Sequence, residues 1–199
     1  MPVRNITEED IEALVELHIE SFKESLNILA GKKYLFEVFR WFIKTKNIAL
    51  LTHEESLITG YVIGAPIGYE KQMNRTLWIY GLIGLFKNPA YFLNKKLIKN
   101  IIQRVKSIVG LSGMKHQPLV SEKGYGISLV GIAVAEKYKG KGTAQELIIE
   151  FEKMSKELNA DFLRLSVLKE NIRAQKFYER MGWTAIEVKG GYYYFKEIK

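Results

Sequence analysis

The stretch that most constrains this chain is residues 126–158, where an apolar strand, a glycine-bearing loop and an amphipathic helix succeed one another without a break. Gly126–Val134 is apolar and β-rich and reads as a buried strand. Glu136–Gly142 is charged and carries Gly140 and Gly142. Thr143–Leu158 is helical, with Leu147, Ile148, Phe151, Met154 and Leu158 recurring at helical spacing. Glycine at 140 and 142 lets the backbone approach an anion with no Cβ in the way. The helix N-terminus adds unpaired N–H groups and a partial positive charge, and Lys137, Lys139 and Lys141 add formal charge. Strand, loop and helix in this order form a phosphate cradle on physical grounds. It is not a Walker loop, because no Gly-Lys-Ser/Thr ends it. It also lacks the third glycine and the N-terminal lead-in of the dinucleotide fingerprint. Taken alone, the stretch has an ordinary βα turn as its alternative reading.

The chain around it is built of short elements. Thr7 with Asp10 forms a capping-box pattern ahead of a helix over about 8–23, whose apolar face carries Ile11, Leu14, Val15, His18 and Phe22. Tyr34–Lys44 is a second helix. Asn47–Thr52 and Leu57–Ala65 are strands joined by a turn at 54–56, a hairpin ended by Pro66 and Gly68. Leu77–Phe86 reads as helical despite Gly81 and Gly84. Asn88-Pro89 is a start signal for an amphipathic basic helix over Pro89–Ile108, with loop over Ser112–Lys123 after it. Beyond the cradle come a strand at Asp161–Leu168, a short helix at Ile172–Met181 stopped by Gly182, and strands Thr184–Lys189 and Tyr192–Ile198. Gly190-Gly191 joins those last two as a hairpin.

Charge and composition exclude several function classes. The chain has 199 residues, a net charge of +8 and no cysteine. The length suits one domain, 1–199. Without cysteine there is no disulfide, thiolate metal site or Cys nucleophile, and three scattered histidines make a zinc site improbable. The opening is polar and acidic and carries no secretory signal, and the longest apolar run, Leu77–Phe86, is half of a membrane span. The expected location is the cytoplasm. Residues 71–121 carry 9 basic and no acidic side chains, whereas 1–70 carry 7 and 11 and 122–199 carry 14 and 11. The excess therefore lies in one segment, read as a basic helical insertion. Such localisation favours one anionic neighbour, or a merely solvated face, over a diffuse nucleic-acid coat. Aromatic residues interleaved with Lys and Arg are sparse over 87–106, which argues against nucleic acid as a partner. Peripheral contact of 89–108 with an anionic membrane stays open.

The segment Leu168–Trp183 adds the second half of the signal. Asn171 sits between strand and helix, where its amide caps the helix or bonds another chain's amides. Tyr178 lies near the end of that helix, before Gly182. With both stretches in view, residues 126–195 resemble the acyl-CoA-binding core of the GNAT superfamily of N-acetyltransferases. The family's Gln/Arg-x-x-Gly-x-Gly/Ala loop aligns on Lys139, Gly142 and Ala144. Its Asn-x-x-Ala-x-x-x-Tyr-x-x-x-Gly-Phe segment aligns on Asn171, Ala174, Tyr178, Gly182 and Trp183. Lys139 departs from Gln/Arg, keeping charge without the guanidinium fork, and Trp183 replaces Phe. A long link before the fourth strand also resembles members from polysaccharide and sugar-modifying pathways.

The resemblance implies an α/β (α+β) fold: a central mixed, mostly antiparallel sheet of six to seven strands flanked by helices. It implies acetyl-CoA as cosubstrate and no metal. The cofactor-binding residues it implies are Ile132, Ala133 and Val134 on the strand, Lys139, Gly140, Lys141, Gly142, Thr143 and Ala144 in the turn, and Asn171, Ala174, Phe177 and Tyr178 beyond it. Tyr178 would also be the general acid that protonates the departing thiolate. The partners implied are acetyl-CoA and a small-molecule amine, an amino sugar or sugar nucleotide in one reading, with a protein or peptide N-terminus and a non-catalytic acyl-CoA sensor as alternatives. The protein would be a monomer or a homodimer. The base is the open position. Members often carry Glu on strand 126–134, where this chain offers only Ser128, so His116 and Glu122 are the candidate bases, with water as the alternative. His18, on an apolar helix face, reads as a core histidine, and His53 as a surface one.

Overall fold

The computed structural model describes residues 2–22, 28, 31–55, 57–87, 124–188 and 190–198. They divide into two compact units. The first is a seven-stranded sheet with two helices. Its strands are β1 (Val3–Asn5), β2 (Ile48–Glu54), β3 (Leu57–Pro66), β4 (Gly126–Val134), β5 (Phe162–Leu168), β6 (Thr184–Val188) and β7 (Gly191–Glu197). They lie in the order β1-β2-β3-β4-β5-β7-β6. Every neighbouring pair is antiparallel except β4 with β5. A parallel pair needs a crossover, and the Thr143–Glu157 helix supplies it. The mixed, mostly antiparallel sheet expected from the sequence is thus present. The edge strand β1 was not expected; three residues are too few to display alternation.

Among the described residues the second unit carries the helices α1 (Ile11–Ser21), α2 (Lys32–Lys44) and α3 (Tyr69–Lys87). The expected capping box is formed, the Thr7 backbone N–H donating to Asp10 Oδ2 at 2.8 Å, but residues Glu8–Asp10 wind as a 3-10 turn before α1 begins. Lys32 on α2 pairs with Glu16 on α1 at 2.5 Å. His18 lies between aromatic rings, 4.8 Å from Phe22 and 6.1 Å from Phe39 by centroid. The expected basic helix 89–108 and loop 112–123 lie outside the described residues. Among the described residues no helix is long and apolar enough to cross a membrane.

In the first unit, α4 (Thr143–Glu157) lies against β1–β4, and α5 (Ile172–Arg180) packs beside β6. The core under α4 joins Leu147, Ile148 and Phe151 to inward-facing residues of β2 to β5. Gly64 makes room for this seat, since a Cβ there would stand 2.3 Å from the Phe151 ring. One irregularity in β4 sets which of its residues face the core. Ile63 pairs with Gly131 and Gly64 with Leu129, which leaves Val130 as an extra residue in β4. Such a bulge shifts the inward set from odd to even positions. Accordingly Ile127 and Leu129 face the α4 core before it, and Ile132 and Val134 pack against that core after it.

Candidate functional site

The site begins where two strands part. β4 stays paired with β3 as far as Val134, and β5 stays paired with β7 as far as Leu168. Between β4 and β5, however, the ladder covers only Gly126–Ser128 against Phe162–Arg164. The last rung lies just before the bulge at Val130. Beyond it, alternate residues of β4 turn N–H and C=O groups toward β5 with no strand to receive them. Ile132, Ala133 and Val134, the strand residues singled out in the sequence, all lie on this unladdered stretch.

The turn after β4 stands next to the gap. Ala135 donates its N–H to Thr59 O at 2.9 Å, and Glu136–Tyr138 wind as a 3-10 turn. The chain then runs through Gly140 (φ 81°) and Gly142 (φ 88°) into α4. A Cβ at Gly140 would meet nothing within 4 Å, and one at Gly142 only Gln145 Oε1, at 3.6 Å. The glycines therefore answer to backbone conformation, not to crowding by the protein, and the space outside the turn is open. The carbonyl of Gly142 accepts from Gln145 and Glu146, at 2.9 and 3.1 Å, which starts the helix. Among the described residues the amides of Gly140, Gly142 and Ala144 donate to no backbone carbonyl outside the regular ladders, and no side chain caps the helix. Open amides at the positive end of a 15-residue helix suit a diphosphate. Lys139 is engaged by the Glu136 carboxylate, so the turn's net cationic charge is smaller than its three lysines suggest.

The second turn, after β5, is filled from within. Asn171 Oδ1 accepts the Ala174 N–H at 3.1 Å and caps α5. That fixes the amide's orientation and leaves its Nδ2 hydrogens as donors. Gln175 Nε2 donates to Leu168 O and Lys169 O, at 3.2 and 2.9 Å. Leu168 and Ile172, both more than half exposed, flank this turn.

Tyr178 lies on α5 with only 5% of its surface exposed. Its ring packs against Phe177, Trp183 and Tyr194, with centroids 5.2, 5.7 and 5.8 Å away. Burial raises its pKa above the ordinary phenol value, so it holds its proton throughout the neutral range. Ala174 and Phe177 are partly buried on the same core. His18 is held down to about pKa 4 by burial and is neutral at pH 7. His53 Nδ1 contacts Glu55 O at 3.1 Å beside the hairpin turn. Ser128 stands on the last β4–β5 rung, opposite Arg164. His116 and Glu122 lie outside the described residues. Among the described residues no group of three His, Asp or Glu side chains could hold a metal ion.

Sequence reasoning missed three side chains that shape the two turns. Tyr138 is buried in an otherwise charged turn and donates its hydroxyl to Glu54 Oε2 at 2.6 Å. Its signal was an aromatic residue between two lysines. Gln175 comes four residues after Asn171, one helical turn, which is a readable hint. Glu54 had no signal at all, being 84 residues from its partner.

Comparison with known proteins adds an independent line. The family model described as acetyltransferase (GNAT) family matches residues 11–183. An N-alpha-acetyltransferase from Saccharolobus solfataricus is 34% identical over 85 residues, which cover 42% of this chain and 49% of that protein. The chain thus matches about half the length of this curated relative. The crystal structure of PaiA N-acetyltransferase from Thermoplasma acidophilum, in complex with coenzyme A, superposes with a TM-score of 0.60 at 15% identity, covering 98% of each chain. That of ribosomal-protein-alanine N-acetyltransferase from Brucella melitensis gives 0.60 at 12% identity, covering 99% of each. At these identities the structural likeness is one of fold.

Proposed function

The chain belongs to the acetyltransferase (GNAT) family, and from that premise we propose that it moves the acetyl group of acetyl-CoA directly to a primary amine. The observation that carries this reading is the pairing of open amides at Gly140, Gly142 and Ala144 with the gap between β4 and β5. The turn over Lys139–Ala144 would hold the diphosphate through backbone N–H groups. The unladdered edge of β4 at Ile132–Val134 would bond the amide-bearing arm, and Asn171 Nδ2 would donate to one of its carbonyls. Holding both reactants in one site can itself lower the barrier by about 7–11 kcal/mol in ideal cases.

The amine nitrogen forms a C–N bond to the acetyl carbon as the C–S bond breaks. The electron pair leaves with sulfur, which takes the phenolic proton of Tyr178. The surplus proton on the amine passes to water or to a base, and a proton from solvent restores the Tyr178 phenol. Burial keeps the phenol protonated at neutral pH and also makes it a weaker acid, so the transfer has to coincide with cleavage of the C–S bond. The oxyanion that develops meets a backbone N–H of β4.

The acceptor class we favour is the α-amino group of a polypeptide, because the relative at 34% identity is an N-alpha-acetyltransferase. A sugar amine carrying phosphate is the second reading, motivated by the absence of acidic residues over 71–121. Thiol release from acetyl-CoA, measured with short peptides, amino sugars, their phosphates and polyamines, separates the two. Turnover with peptides alone supports the first, and turnover with sugar phosphates alone overturns it. Binding of CoA with no thiol release for any amine would leave a non-catalytic sensor. A calorimetric blank with acetyl-CoA would end the whole reading.

A further inference from the structure

The turn that precedes the diphosphate amides is fastened by a side-chain contact that reaches across the sheet. We infer that Tyr138 and Glu54 form a positioning pair that sets affinity for the diphosphate end of the donor. The inference rests on the acetyl-CoA reading and extends it to residues outside the cradle. Tyr138 is 4% exposed, although every neighbour from Glu136 to Lys141 is charged or glycine. Its hydroxyl donates to Glu54 Oε2 at 2.6 Å, a charge-assisted bond. This bond to Glu54, more than burial, raises the phenol's pKa, so the donor proton stays in place at neutral pH. Its carbonyl accepts the Lys141 N–H at 3.4 Å and the Thr143 hydroxyl at 3.5 Å, both long. The ammonium groups of Lys137 and Lys141 stand 5.9 and 5.3 Å from its ring centroid.

One residue thus organises the chain on both sides of the open amides. Upstream the turn is tied to β3 by Ala135 N–H to Thr59 O. The Glu136–Lys139 pair is local and largely exposed on the Glu side. Between Lys139 and Gly142 a Cβ added at Gly140 would meet nothing within 4 Å, and one at Gly142 only Gln145 Oε1. Removing the phenolic hydroxyl would take this donor from the Glu54 carboxylate and free the turn to sample other shapes. Open amides bind an anion well only when they are already converged.

The experiment compares two donors. Acetyl-CoA carries the diphosphate; S-acetylpantetheine carries the same thioester and arm without it. For Tyr138→Phe, KM for acetyl-CoA should rise on the order of three- to tenfold, the reach of one hydrogen bond. Its kcat, and kcat/KM for S-acetylpantetheine, should stay within about twofold of the wild type. Glu54→Gln, which keeps an acceptor oxygen, should restore most of the affinity that Glu54→Leu loses. The double variant Tyr138→Phe/Glu54→Leu should be no worse than either single one. Equal losses on both donors, or none on either, would overturn the pair's role. If Tyr138→Phe does not fold, the Glu54→Leu and Glu54→Gln comparison decides alone. A wild type that fails to bind CoA would defeat the underlying reading instead, so the two failures are distinct.

Discussion

The turns after β4 and after β5 share one order, strand then loop then helix, yet they end in opposite states. The second is closed by its own side chains: Asn171 caps α5, and Gln175 satisfies the carbonyls of Leu168 and Lys169. The first has no side-chain cap, passes through two glycines in left-handed conformation, and leaves the amides of Gly140, Gly142 and Ala144 without a backbone carbonyl among the described residues. Elementary bookkeeping of polar groups says that such amides must find water or a ligand. The difference teaches that two βα turns side by side can offer a ligand different things: the first its backbone amides, the second, capped from within, only the Asn171 Nδ2 hydrogens.

The comparison breaks most severely at Gly142. Gly142→Glu puts a side chain on a φ of 88° and a carboxylate among the amides. CoA affinity should fall by more than about a hundredfold, from left-handed strain and charge together. Calorimetry with CoA, beside a thermal melt to verify folding, checks this, and unchanged affinity sinks the cradle. Tyr178→Phe should lower kcat by roughly a hundredfold, the lower range for a lost proton donor, while CoA affinity stays within about twofold. Equal turnover would remove Tyr178 from the chemistry.

His18 supplies a control outside both turns. The unfolded chain protonates this imidazole near pH 6.5, the folded one only near 4. Its contribution is therefore present at neutral pH and is lost as pH falls from about 6.5 to about 4. Urea unfolding at pH 7.5 and 4.5 should reveal a loss on the order of 2 kcal/mol that His18→Gln abolishes. An identical slope in the variant would assign acid lability to carboxylates. The smallest effect sharpens the comparison most. Asn171→Asp keeps an oxygen cap, so the melting temperature should hold, while the lost Nδ2 donor weakens CoA binding about tenfold. Asn171→Ala should lose both, with about 1 kcal/mol of stability. If Asp and Ala variants bind CoA as the wild type does, the second turn has no part in holding the donor.

Much of this was legible in the sequence because the signals were local. The boundaries of β4 emerge from an apolar run broken only by Ser128. The last hairpin is signalled by Gly190-Gly191, and Asn171 as a cap by its place before a short helix. The sequence also points to Gly140 and Gly142, since only glycine adopts such φ values cheaply. What it hides is non-local. An apolar run looks the same with or without an extra residue, so the bulge at Val130 was invisible in a strand whose two faces are both largely apolar. Tyr138 and Glu54 meet only after β2, β3 and β4 are assembled. The three residues of β1 have no periodicity to detect.

The odd residue at 130 sits where β4 leaves its neighbour β5. A sheet that zipped β4 to β5 along their full lengths would carry more backbone pairs than this one, whose β4–β5 ladder stops at Ser128, just before that residue. The fold instead forgoes rungs in its own middle. On the reading proposed above, that missing backbone pairing is the width into which a slender, amide-bearing donor would lie as a borrowed eighth strand, completing with its own polar groups the ladder that the polypeptide interrupts.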